Sequence, residues 1–382
     1  MKITIIGWYG TETIGDRAIL AGLISFFNQS FDSFEIKLGS LYPFFSDRTL
    51  NEDYSFYRDI TGKDCKVEIF NSKNSKELLN AIKESDLVVM GGGPLMDLSE
   101  LFMVEYAFKK AKKLGVKTAL LGCGVGPLFH KKYRKSVLEI SLHSDIHILR
   151  DSQSKQNLLS LYSEFKMPLI NPDLIYTSFD PAVECVLQYK SNESTQDYIA
   201  INLREFPQEY NKDRDSKSIN NELKQFIASL SEKFTEKELK LIPMHYFHVG
   251  GDDRMFLNSI ALDLKLDNLT VQNKNLTLKE TIDVYRYADF NVGMRFHSVV
   301  LQTIASGKNY VLDYTEPNKG KINGFLQDID NSGFYKNRYI SLQEDKISTD
   351  IISHIDEEFV LDEKNIKKSL NIYIELLTGL NK

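Results

Sequence analysis

Short apolar runs, each ending in a turn and followed by a segment with helical spacing, recur along the whole chain. Lys2 to Trp8 leads through a glycine turn into Ile14 to Phe27, and Asp86 to Met90 leads into Asp97 to Leu114. Lys117 to Leu121 passes Gly126-Pro127 into a helix, and Ile146 to Leu149 passes into Ser152 to Leu161. Strands that are apolar at nearly every position must be covered on both faces, and strands joined through helices run parallel. The polar stretch from Glu184 to Gln196 has no period and reads as a linker, after which the pattern restarts. Tyr198 to Leu203, a helix over Ile219 to Phe234, Leu239 to Met244, a helix after Gly251-Asp252, Leu269 to Gln272 and the helix Leu278 to Tyr287 follow in turn. A strand from Asp289 to Val292 then feeds another helix through Gly293-Met294-Arg295-Phe296-His297. A chain of 382 residues exceeds what one core usually serves. The expectation is therefore an α/β protein of two doubly wound, Rossmann-like domains, 1–185 and 196–360. An amphipathic C-terminal helix in 361–382 is expected to pack rather than bind.

Composition narrows the function. A net charge of −6 argues against broad nucleic-acid binding, so an anionic ligand requires a local basic pocket. Cys65, Cys123 and Cys185 form no CxxC pair and suit a reducing compartment. Ile3 to Ile6 is too short for a signal-peptide core and no stretch reaches membrane-spanning length, so a cytoplasmic location is expected.

Ligands in open parallel sheets bind beyond the carboxyl ends of the strands, here in a cleft expected between the halves. Gly15-Asp16, Gly91 to Gly93 and Gly122 to Gly126 all stand at such ends, where glycine admits a ligand close to the backbone or simply makes a tight turn. Gly10 to Gly15 has the glycine spacing of a phosphate loop, but Asp16-Arg17 stands where Lys-Ser/Thr belongs. Gly122-Cys123-Gly124-Val125-Gly126 lacks the dinucleotide spacing, which argues against nicotinamide or flavin. No cofactor and no metal are expected: His245 and His248 flank a strand end, with Asp252 and Asp253 after them, but without ligand spacing. Arg295 and His297 differ, standing together where a helix begins and its dipole favours an anion. Arg150 and Arg204 end strands in the two halves, and Lys319 and Lys321 add charge after Tyr314. Trp8, Tyr9, Phe206 and Tyr246 are candidates to stack on a sugar.

The two doubly wound halves resemble the B-type glycosyltransferase (GT-B) architecture. The motifs more specifically resemble the polysaccharide pyruvyl transferases, in the right order over most of the chain. Gly7-Trp8-Tyr9-Gly10 with Ile14-Gly15-Asp16 looks like that family's opening turn, and Gly91-Gly92-Gly93-Pro94-Leu95-Met96-Asp97 like its Gly-Gly-Gly-x-Leu-x-Asp segment. Gly122 to Leu128 matches its Gly-x-Gly-Pro turn and Leu149-Arg150-Asp151 its Arg-Asp/Glu motif. Gly293 to His297 is similar to Gly-x-Arg-Leu-His with Phe296 replacing Leu, and Lys321 before Ile322-Asn323-Gly324-Phe325 fits the trailing segment.

The resemblance implies transfer of the pyruvyl group of phosphoenolpyruvate to two hydroxyls of a sugar, forming a pyruvate ketal and releasing phosphate. By the same resemblance Arg150, Arg295, His297 and Lys321 hold phosphoenolpyruvate, and His297 is the acid/base. Gly15, Asp16, Gly92, Gly93, Asp97 and Arg204 are candidates for the acceptor side or for the turns alone. The expected partners are phosphoenolpyruvate and a sugar or lipid-linked glycan, with peripheral membrane contact left open. Two alternatives stand beside this. One is a glycosyltransferase holding a nucleotide sugar through Arg204 and Gly250-Gly251; the other is a non-catalytic glycan-assembly protein.

Overall fold

The computed structural model describes residues 1–168, 171–191, 196–210, 214–247, 250–349, 352 and 355–381. The chain divides into two compact units. The first comprises Met1–Glu12, Asp16–Tyr189 and Asp362–Lys382; the second comprises Thr13–Gly15 and Lys190–Leu361.

The first unit runs β1 (Lys2–Ile6), α1 (Ile14–Ser30), β2 (Glu35–Ser40), α2 (Pro43–Thr61), β3 (Val67–Asn71), α3 (Ser75–Lys83) and β4 (Leu87–Gly91). It continues with β5 (Pro94–Leu95), α4 (Leu101–Lys113), β6 (Lys117–Val125), α5 (Lys131–Leu142), β7 (Ile146–Leu149), α6 (Ser152–Glu164), β8 (Ile175–Thr177) and α7 (Pro181–Gln188). Its sheet has the order β3-β2-β1-β4-β6-β7-β8, with β5 added beside β6, and every pair is parallel. The second unit runs β9 (Gln196–Asn202), α8 (Ser216–Lys233), β10 (Glu238–Leu241), α9 (Asp253–Leu264), β11 (Leu269–Val271), α10 (Leu278–Tyr287) and β12 (Ala288–Gly293). It ends with α11 (Phe296–Ala305), β13 (Asn309–Asp313), α12 (Lys321–Ile329) and β14 (Tyr339–Ser341), in the parallel order β11-β10-β9-β12-β13-β14. In both units the order reverses beside the first strand, which opens a crevice at the carboxyl ends of β1 and β4 and of β9 and β12.

Burial explains why the strands read as continuous apolar runs. Leu87, Val88, Val89 and Met90 of β4 are all inaccessible to solvent, as is every residue of β13. Helix starts follow local chemistry: Asp151 caps α6 by accepting from the Ser154 N–H at 2.6 Å, and Thr277 with Glu280 forms a capping box on α10.

Three boundaries differ from the sequence expectations. The segment between Phe27 and Asp86, to which the periodicity assigns nothing, carries β2, α2, β3 and α3. The fourth helix starts at Leu101 rather than Asp97, because β5 pairs with β6 and the Asp97 carboxylate serves the backbone elsewhere. The expected linker begins too early: Glu184 is buried within α7, accepting from Ser25 at 2.8 Å and Gln188 at 2.9 Å. The division falls at Tyr189–Lys190, and residues 192–195 of the expected linker lie outside the described residues.

The last helix, α13 (Glu363–Thr378), packs on the first unit although the second precedes it in sequence. Its Tyr373 stacks on Phe26 at 4.3 Å between centroids and donates to the Phe179 carbonyl at 2.8 Å; Ser178 donates to the Ser369 carbonyl at 2.8 Å. Removing the Tyr373 ring leaves a cavity and removes its hydrogen bond to the Phe179 carbonyl. Tyr373→Ala should destabilise this unit by about 3–5 kcal/mol. Denaturant unfolding followed by Trp8, the only tryptophan and a member of the same unit, measures that loss.

Candidate functional site

The strongest clustering of charge lies at the carboxyl edge of the second unit's sheet. Arg204 follows β9, His245 follows β10, Arg295 follows β12, Tyr314 follows β13 and Lys321 opens α12. Four strands that are neighbours in the sheet thus deliver residues one to four positions past their ends to one rim.

Arg295 is the anchor. Its backbone N–H donates to the Asn202 side chain at 3.0 Å, which ties the β12 turn to the end of β9. Its Nε donates to both oxygens of Asp253 at 2.9 and 2.8 Å, and Nη2 donates to Asp253 Oδ1 at 2.6 Å and to the carbonyls of Gly250 and Gly251 at 3.1 and 3.3 Å. Nη1 donates to His245 Nε2 at 3.2 Å. Asp253 Oδ2 also accepts from the N–H groups of Met244 and His245 at 3.0 and 3.2 Å, which draws the chain after β10 toward α9. Burial, then the charge of Arg204, pulls the Arg295 guanidinium down from its ordinary value while Asp253 opposes them. Arg295 is therefore not an open fork waiting for an anion. Most of its donors bind Asp253, His245 and two carbonyls.

His297 occupies the second position of α11, and its placement explains the opening turn of the chain. Thr13 pairs with His245 in an antiparallel bridge, and the Ile14 N–H donates to the Met244 carbonyl at 3.0 Å, so Thr13–Gly15 belongs with the second unit. This brings Gly15 against the imidazole: a Cβ at position 15 would sit 2.0 Å from His297 Nδ1. Glycine is required there by close approach, not by backbone angle. The Phe296 ring meets the imidazole edge-on at 5.0 Å.

Tyr314 lies beneath the cations. The Arg204 guanidinium is 5.1 Å and the Lys321 ammonium 5.7 Å from its ring centroid, and Tyr210 meets it edge-on at 5.6 Å. Burial alone would raise the Tyr314 phenol, but Lys321, Arg204 and Arg295, with a hydrogen bond from Lys321, outweigh it and bring it down to about 8. Burial and then the Tyr314 charge push Tyr210 up. Asp313 is raised by burial, against hydrogen bonds from Thr315 and Tyr339 and the nearby Lys321. Of the two lysines singled out in the sequence, Lys319 is exposed and Lys321 turns inward.

In the first unit Arg150 is 3 % exposed at the end of β7. Its N–H donates to the Cys123 carbonyl at 3.1 Å, and its guanidinium lies between Asp151 at 3.4 Å and Asp180 at 3.7 Å. A Cβ at position 124 would meet Arg150 Nη2 at 2.5 Å, so Gly124 lets the guanidinium lie flat on the backbone. Replacing Arg150 removes the positive charge beside two buried carboxylates. Arg150→Met should cost this unit about 3–5 kcal/mol in a denaturant titration before any effect on a ligand is read.

The remaining sequence candidates are held in the architecture. Asp97 Oδ2 accepts from the N–H groups of Phe129 and His130 at 3.1 and 3.0 Å and bonds the His130 ring at 2.5 Å, bracing the start of α5. The Gly92 N–H donates to the Leu121 carbonyl at 2.9 Å and the Gly93 carbonyl accepts from Gly124 at 3.0 Å. That turn spends its backbone on the fold and leaves less for a ligand than the sequence suggests. Asp16 accepts from the Thr11 hydroxyl at 3.2 Å. Trp8, Tyr9, Phe206 and Tyr246 are all buried, which corrects the suggestion that they present a sugar-stacking surface. Among the described residues no three His, Cys, Asp or Glu side chains gather as a metal site, and His248 lies outside them. No helix among them is long and apolar enough to cross a membrane.

Two parallel sheets with this strand order, each reversing beside its first strand, define a GT-B-like protein. The sequence model of the family described as polysaccharide pyruvyl transferase matches residues 14–315, and the chain belongs to that family. No curated protein sequence matches it. Among solved structures it is similar to S. aureus MnaA determined with UDP, at 13 % identity over 98 % of this chain and 97 % of that one, with a TM-score of 0.55. It is also similar to a glycosyltransferase from Rickettsia africae, at 15 % identity over 100 % and 94 % of the two chains, with a TM-score of 0.51. At such identities the likeness is one of fold.

His245, which lacks metal-ligand spacing in the sequence, and Tyr314, which precedes the trailing lysines, both lie among the site's charges. The signal for His245 is its position after β10, and for Asp253 its place at the start of α9. No periodicity announces that an Arg from β12 will lie between them.

Proposed function

We propose that this chain transfers the pyruvyl group of phosphoenolpyruvate to a sugar of a bacterial surface polysaccharide or its precursor, forming a ketal and releasing phosphate. The observation that carries the reading is the gathering of Arg204, Arg295, His297 and Lys321 on one sheet edge, with an excess of positive charge sufficient to depress the Tyr314 phenol. A small, strongly anionic donor supplies the charge that such a cluster lacks. In the reaction the enol methylene gains a proton and becomes a methyl group, leaving an oxocarbenium-like carbon that the first sugar hydroxyl attacks. Carbon–oxygen cleavage then releases phosphate, and the second hydroxyl closes the ketal. The two hydroxyl protons balance the one taken by the methyl group and the one taken by the departing phosphate.

His297 is assigned the proton transfer to the methylene, since an imidazole can give and accept a proton near neutral pH. Lys321 and Arg204 are assigned the phosphate and carboxylate charges, with Arg295 holding the frame. The family resemblance also assigns Arg150 to the donor; Gly15, Asp16, Gly92, Gly93 and Asp97 are proposed for the acceptor side or for its turns alone. No resident cofactor is invoked, and a cytoplasmic location is part of the proposal. The nucleotide-sugar reading rests on fold alone. A thermal-shift comparison of phosphoenolpyruvate with UDP and GDP separates the two, and stabilisation only by the nucleotides would overturn the proposal.

His297→Ala should lower phosphate release in the presence of acceptor by about 10²–10⁴-fold while the thermal midpoint stays near wild type. Activity close to wild type would remove His297 from the chemistry. The pH profile follows from Tyr314. Below about pH 8 the phenol is neutral and adds no negative charge to the cluster. Above it the phenolate cancels part of their charge, so KM for phosphoenolpyruvate should climb by up to about tenfold per pH unit. Tyr314→Phe should flatten that limb, and a profile identical to wild type would contradict this role.

A further inference from the structure

Arginine carries only donors, so the contact between Arg295 Nη1 and His245 Nε2 at 3.2 Å fixes the imidazole: Nε2 accepts, and the ring proton sits on Nδ1. Burial, then the charges of Arg295, Arg204, Lys321 and His297, hold His245 well below its ordinary value, which keeps it neutral in this tautomer. Nδ1 is buried, and among the described residues nothing accepts its proton. The neighbouring Gly250 is in the left-handed region at φ +80°, and a Cβ there would lie 3.1 Å from Nδ1. The chain thus leaves space beside a buried donor instead of filling it. A buried N–H without an acceptor costs free energy, and a fixed neutral donor within a group of cations is suited to an anionic oxygen.

We propose that His245 Nδ1–H is an anion-binding donor of this site, oriented by the Arg295–Asp253 pair, and that it takes an oxygen of the donor's phosphate or carboxylate. The identity of the anion rests on the reading above; the presence of the donor does not. Arg295 then acts as a positioning residue, holding the imidazole in one tautomer and one orientation.

The test is made on the whole chain labelled with ¹⁵N-histidine, the His245 signal being assigned by its loss in His245→Gln. Phosphoenolpyruvate, inorganic phosphate and pyruvate are titrated separately. A downfield shift of the Nδ1 proton with phosphoenolpyruvate supports the inference, and the other two titrations show which end of the molecule it meets. A shift with phosphate alone keeps the anion site and counts against phosphoenolpyruvate as the donor. Binding of phosphoenolpyruvate that leaves the His245 signal unmoved overturns the inference but not the donor reading, and no movement with any of the three overturns the inference. Two variants give an independent check. His245→Gln places an oxygen near the old Nε2 and loses the Nδ1 donor, whereas His245→Asn keeps an N–H near the Nδ1 position. Calorimetry should show phosphoenolpyruvate bound on the order of ten- to a hundredfold more weakly by the glutamine variant, with the asparagine variant recovering most of the loss. Equal affinities in the two variants would contradict the proposal.

Discussion

The buried pair of Arg295 and Asp253 is the interaction on which the second unit's site depends. It joins the end of β12, the first turn of α9 and the chain after β10, and it does so with both partners nearly sealed from solvent. A buried ion pair adds little net stability, because desolvation consumes most of the attraction. What it confers here is position. The guanidinium is satisfied along most of its edge, and its remaining contact sets the orientation of His245. The arginine that sequence patterns single out as a ligand-holder is, in the folded chain, bound along most of its edge to Asp253, His245 and backbone carbonyls.

Close packing of side chains on glycine backbone is the second device. His297 rests on Gly15, and Arg150 on Gly124. Neither glycine has the positive φ that usually accounts for the residue, so turn chemistry alone does not explain them. Each leaves out a side chain so that a functional-looking group can lie against the main chain. This also explains how the opening turn, far from His297 in sequence, becomes part of the same local structure through the Thr13–His245 bridge.

Charge balance at the rim follows from these placements. Several cations share one sheet edge, and Asp253, a buried acid beside them, is already committed to Arg295. Tyr314 responds by becoming more acidic despite its burial, which shows that nearby positive charge outweighs desolvation at that point. An anion of matching size and charge relieves the same imbalance. The proposal of an anionic donor rests on that excess.

The amino-acid sequence by itself determined the doubly wound class, because strands sealed on both faces must be apolar throughout and helices between them impose parallel pairing. It also marked Arg295, His297 and Lys321, whose residue types sit where a strand ends and a helix starts. Only the tertiary structure decided that Arg295 is bound by Asp253, that His245 lies against Arg295 and that Tyr314 lies among the cations. It likewise decided that Asp97 braces backbone N–H groups and that Trp8 is core. The reason is range. Periodicity and capping are set by neighbours a few residues apart, whereas the state of a charged side chain is set by which distant strands lie beside its own. The order β10-β9-β12-β13 brings together residues separated by as many as 117 positions, Arg204 to Lys321, and no local pattern encodes that adjacency.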